Sequence, residues 1–200
     1  MSKTRPPLRL PAAVAVLAVA LAGSAIGAQD GAIELSFDDL IQRAPSIVLA
    51  TVTSRRAEWE SYGTSKLIIT KVSLQVEQTL KGSAPRELTI EVLGGTIGEE
   101  TLHVSHVPEF AVGDRDVLFL NNAPHSVSPL VGSDQGRFRV INESASGTAR
   151  VVTRGYAPLV AVADIGSERE RAVSSLSSAL SVTEFVTQVR DRARQLERRR

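Results

Sequence analysis

Two of the three histidines lie close together in "HVSHVPEF", residues 103–110, where His103 and His106 are three apart and Glu109 lies three further on. Histidines with a neighbouring carboxylate are zinc-ligand chemistry, and a spacing of three puts two ligands on one face of a helix. The flanks do not read as a helix. Leu102, Val104 and Val107 surround the pair and Pro108 follows at once, and proline does not continue a helix interior. The stretch 99–107 therefore reads as a strand, on which residues 103 and 106 face opposite ways. His106 is expected to lean inward and His103 outward, and a shared metal would need a bulge between them. The expectation is no bound metal or other cofactor, with His103 as a ligand contact. The alternative is a metal-dependent hydrolase using His103 and His106.

Other catalytic chemistry finds little material. There is no cysteine, hence no thiol nucleophile. The nearest approach to a G-x-S-x-G elbow, "GSDQG", has its serine misplaced. Asp38-Asp39 and Glu99-Glu100 are sequence neighbours, whereas glycoside hydrolysis needs two carboxylates opposed across a cleft. "GGTIG" (94–98) lacks the Lys-Ser/Thr and following helix of a phosphate cradle and reads as a turn. His125, beside Pro124, reads as a loop residue. No catalytic residue is assigned, and binding is the remaining class. The only tryptophan, Trp59, with Tyr62 nearby, is placed at the start of a hairpin loop. An aromatic pair there suits a protein or glycan partner; the competing structural role for Trp59 is to cap an open end of the fold.

The elements that must position these residues are mostly strands. "KLIITKVSLQVEQTL" (66–80) alternates strictly, with Ile68, Thr70, Val72, Leu74, Val76 and Leu80 on one side. "SIVLATVTSRRAEW" (46–59), "RELTIEVLGG" (86–95) and "RDVLFLNN" (115–122) are strands, the last apolar on both faces as a central strand is. "SVSPLVGS", "GRFRVINE" and "TARVVTR" read as three short ones. Strands at regular intervals without intervening helices predict a mainly β fold, a small antiparallel barrel of OB or netrin-like type. A short helix precedes it in "LSFDDLIQRAPS" (35–46), with Ser36 as N-cap. A Ser-rich, flexible linker is expected over 164–180, followed by an amphipathic helix over 181–200 that opens on the capping box Ser181-x-x-Glu184. Its apolar stripe is Phe185, Val186, Val189, Ala193 and Leu196.

The start reads as an address. Lys3, Arg5 and Arg9 precede the apolar run "AAVAVLAVALAG" and the small residues of "SAIGAQD". That is the pattern of a secretory signal peptide over 1–28, too short for a comfortable membrane span. The mature chain, with no transmembrane segment, is expected in the periplasm or secreted. The divisions are then 29–45 for the segment with the first helix and 46–163 for the barrel. Of 23 basic and 22 acidic residues, three bases and no acid lie in 1–28, which leaves 20 against 22 and a net charge of −2. The last 17 residues carry six Arg against three acids, so the rest is net −5. With 4% aromatic residues as well, this excludes a nucleic-acid partner, which requires a basic face.

The order of segments carries a resemblance. "APSIVLATVTS", "ITKVSLQVEQTLKG", "PEFAVGDRDVLFL" and "GRFRV" resemble a family of exported bacterial β-barrel proteins without established activity. More distantly, residues 44–142 are similar to the netrin-like OB-fold domain of tissue inhibitors of metalloproteinases. That resemblance implies a protease-directed inhibitor. The inhibitors chelate the protease zinc through an N-terminal cysteine, which this chain lacks. The function expected is an exported, non-catalytic binding or interaction module, with Trp59, Tyr62 and His103 as ligand contacts.

Overall fold

Ser36 starts the first helix by a reciprocal cap. Its hydroxyl accepts from the Asp39 amide at 3.2 Å, and the Asp39 carboxylate accepts from the Ser36 amide at 3.2 Å. Helix α1 (Phe37–Arg43) buries Phe37, Leu40 and Ile41, and Pro45 prevents its continuation. Lys81 donates to the Ile41 and Ala44 carbonyls at 2.6 and 2.7 Å. It thus satisfies groups that a helix end leaves unpaired and sets a cation at the negative end of the dipole. The computed structural model describes residues 33–121, 126–171 and 174–199. The leader read over 1–28, and His125, lie outside them.

Strands β1 (Ser46–Tyr62) and β2 (Ser65–Lys81) form a long antiparallel hairpin. Strands β3 (Glu87–Leu93), β6 (Arg115–Leu120), β7 (Arg137–Asn142) and β8 (Ala149–Val152) complete an antiparallel sheet of order β3-β2-β1-β6-β7-β8. The short hairpin β4 (Gly95–Ile97) and β5 (Glu100–Leu102) stands apart as a second sheet. The alternation read in 66–80 shows in the burial of Ile68, Val72, Leu74, Val76 and Leu80, with Thr70 half-buried. The single face does not extend to Leu80, which packs in the helix-side cluster while Val72, Leu74 and Val76 pack in the other. Of the three short strands expected after 125, two form; around "SVSPLVGS" only Leu130 makes a bridge, to Leu120.

Both faces of the sheet centre are covered, which explains why Val117 to Leu120 are all buried. Ile47, Leu49, Val117 and Phe119 face the helices. Helix α2 (Val182–Glu197), capped by Ser181 and Glu184 as expected, brings Phe185, Val186, Val189 and Ala193 onto that face. Val48, Ala50, Val52, Leu118 and Leu120 face the other way and meet Val72, Leu74, Val76, Ile90, Val92, Phe110 and Leu130. Register shifts in the β1–β2 ladder between Ile47/Val48, Leu49/Ala50 and Val52/Ser54 add twist at this crossover.

The fold is mainly β, as expected, but the sheet stays open. Closure would require a ladder between β3 and β8, and none exists among the described residues. The outer edge of β8 is taken instead by later chain: Leu159 donates to the Val151 carbonyl at 3.0 Å, and the Val151 amide donates to Leu180 at 2.9 Å. The stretch expected as a flexible linker carries 3-10 turns at Val162–Asp164, Glu168–Arg171 and Leu176–Ser178. It buries Ile165 and Ala179, and the Ala179 carbonyl accepts from Arg150 at 2.9 Å. No helix among the described residues is long and apolar enough to cross a membrane.

Candidate binding cleft

The strand expected over 99–107 ends early. β5 stops at Leu102, a turn falls at Ser105–His106, and His106 adopts a left-handed φ of 61°. Strand alternation therefore does not govern the two histidines, and both are exposed, His106 included. The physical reason lies outside the segment. Beyond Leu102 the chain joins no ladder until β6. It forms a strap whose carbonyls are held by arginine side chains.

Three arginines do this. Arg137 donates to the Glu109 carbonyl at 2.5 Å and Arg139 to the same oxygen at 3.3 Å. Arg55 donates to the Phe110 carbonyl at 3.1 Å. The Arg137 guanidinium also lies 4.1 Å from the centre of the Phe110 ring, a cation–π contact. Arg137 is 2% exposed, so its charge must be matched inside the protein. It donates to Asp116 at 2.8 Å and Asp114 at 2.7 Å, while Arg139 reaches Asp114 at 3.2 Å. Asp114 also accepts from the Ala111 amide at 2.8 Å. Burial pushes the Asp116 carboxyl above its ordinary value despite Arg137. For Asp114 burial also works upward, but the Ala111 amide and Arg137 together hold it below the ordinary value.

The strap is one wall of a cleft of about 360 Å³. Val72, Val92, Val107 and Phe110 supply apolar surface, with Arg55, Thr101, His103 and Glu109 among its polar lining. Thr70, Gly94 and Gly95 close the end at the β4–β5 hairpin. That hairpin approaches β2 closely, since a Cβ on Gly95 would stand 2.3 Å from the Thr70 hydroxyl. A second hollow, about 490 Å³ and more open, lies between α1, residues 162–165 and α2. Its charged lining residues are already paired, Asp38 with Arg192 and Asp191 with Arg194, which makes it the weaker candidate.

The predicted site residues are partly brought together. His103 lines the cleft. Trp59 is not on a loop: it is a β1 residue paired with Ile68, and the hairpin turn comes later, at Gly63 and Thr64. Ala57 and its partner Thr70 line the cleft, and strand alternation puts Trp59 on the same side as Ala57, one step further out. Trp59 is 44% exposed there. Tyr62 ends β1, paired with Ser65. Among the described residues no group of three His, Cys, Asp or Glu is placed to hold a metal ion. Arg55, Arg137 and Arg139 were not among the residues the sequence singled out. The available signal was a charge inside each of two apolar strands, Asp116 in "RDVLFL" and Arg137 in "GRFRV".

No protein-family model, curated protein or solved structure matches the chain.

Proposed function

We propose that this protein is an exported, non-catalytic binding module that takes its ligand in the cleft between the β1–β2 ribbon, the β4–β5 hairpin and the strap 103–110. One observation carries this reading: a concave site with an apolar wall and convergent polar groups, the general form of a small-ligand site. Export to the periplasm or cell exterior rests on the leader pattern of residues 1–28. His103 and Trp59 are the ligand contacts within this reading, with Tyr62 further along the ribbon.

The OB or netrin-like barrel, and with it the protease-inhibitor reading, rests on segment order alone. The hydrolase reading rests on the spacing of His103 and His106. Stoichiometric zinc in purified protein, lost in His103→Ala, would establish that reading over ours. The direct test is a thermal-shift screen of small ligands on the full protein. A ligand that binds the folded state raises Tm with its concentration. The rise should vanish in Thr101→Trp, which fills the rim of the cleft. Ligands whose effect survives that substitution would place the binding site elsewhere.

A further inference from the structure

Most charged side chains on and beneath the ribbon surface are matched. Glu77 pairs with Arg115, Lys71 with Glu58 and Glu60, and Arg137 with Asp114 and Asp116. Two that line the cleft are not. Among the described residues Arg55 donates only to the Phe110 carbonyl, and the Glu109 carboxylate has no hydrogen bond or ion pair, although the Glu109 carbonyl is held. The two carry opposite charge, line one cleft and do not pair with each other. The same cleft is lined by the apolar side chains of Val72, Val92, Val107 and Phe110.

From this charge pattern we infer that the cleft takes a short apolar peptide, two or so residues long, bound as a zwitterion: its carboxylate on Arg55, its ammonium on Glu109 and its side chains on the apolar wall. The inference rests on the cleft reading above and names its ligand. A guanidinium offers a carboxylate two parallel donors, and Arg55 uses only one of its donor nitrogens on the strap. The volume of about 360 Å³ falls in the lower part of the range for small-molecule sites, about 300–1,000 Å³. It suits a small zwitterion rather than a folded partner. A neutral apolar ligand would leave both charges unanswered, and a fatty acid would answer only one.

The test is calorimetric titration of the full protein with leucyl-phenylalanine, its N-acetyl form, its C-terminal amide and the doubly capped form. The free zwitterion should bind about tenfold or more tightly than either singly capped form, the scale of one lost charge-assisted hydrogen bond. Glu109→Gln should erase the discrimination against the acetyl form alone. Arg55→Gln, which keeps a donor for the Phe110 carbonyl, should erase that against the amide alone. A melting curve close to wild type shows that each variant is folded. Equal binding of all four forms, lost in Thr101→Trp, would overturn the zwitterion inference and leave the cleft reading standing. Binding of none of them would overturn the inference, and an unresponsive thermal-shift screen would then remove the cleft reading too.

Discussion

On one face of the sheet Phe119, Phe138 and Phe185 meet ring to ring under two helices, with centroids 5.5 and 5.0 Å apart. On the other, three arginines hold a strap by its carbonyl oxygens. The first arrangement is non-directional: it needs apolar volume and excludes water. The second is directional and places a particular backbone stretch at a particular height above β2 and β3. A protein that only had to be stable would gain little from it, because a buried ion pair is weak support for stability. What it does fix is the position of the strap, which forms one wall of the cleft.

The contrast breaks most sharply on repair. Phe185→Ala should cost about 3–5 kcal/mol in urea unfolding, as large-to-small core changes do. Arg137→Met should cost about as much, because it leaves the Asp116 carboxylate buried without its partner. Adding Asp116→Leu should recover most of the Arg137 loss, while no single second change should recover the Phe185 loss. If the double variant stays as unstable as Arg137→Met, the network contributes more than charge compensation.

Gly82→Ala should cost less, about 1–3 kcal/mol. Gly82 has a φ of 68°, and a Cβ there would stand 2.3 Å from the Pro45 carbonyl oxygen. Its damage belongs to the helix face, so binding in the cleft should survive where the variant is folded.

The smallest expected effect is on pH dependence, and there the two faces differ in sign. The hydrogen bond from Arg192 holds Asp38 below its ordinary value. Its contribution is present above about pH 3.9, the unfolded value, and is lost as pH falls through the folded one. Burial holds Asp116 above its ordinary value. Its folded form prefers the proton, so stability is regained as pH falls from the folded value towards about 3.9. In urea-unfolding midpoints against pH, Asp38→Asn should flatten the acid loss and Asp116→Asn should steepen it. The same sign for both would mean that Asp116 is not shifted by burial.

The strands of the sheet were legible where one side of each strand meets a core. β2 alternates because half its residues face Val48, Ala50 and Val52 or the helix-side cluster, and half face water. Both helices were legible from their caps, Ser36 with Asp39 and Ser181 with Glu184. The end of β5 was not, because the signal that stops it is tertiary: His106 turns and the strap leaves the ladder for Arg137, Arg139 and Arg55. Closure was misread for a similar reason. Leu159 and Leu180 take the edge of β8 without strand patterning of their own. Two residues of the segments that carry the family resemblance, Lys81 and Asp114, prove structural. Lys81 ends α1, and Asp114 anchors two arginines.

Phe37 packs against Phe185 with ring centroids 6.2 Å apart, and Arg192 pairs with Asp38 across 154 positions of sequence. The first helix therefore rests partly on the sheet and partly on the last helix. A chain without residues 181–200 lacks Phe185, Val186, Val189 and Ala193 and leaves Phe37 and that face of the sheet uncovered, a species prone to associating with others. Non-local contacts of this kind also slow folding. The core of this domain is thus closed by a pairing of distant segments, α1 with α2, and not by the strands alone.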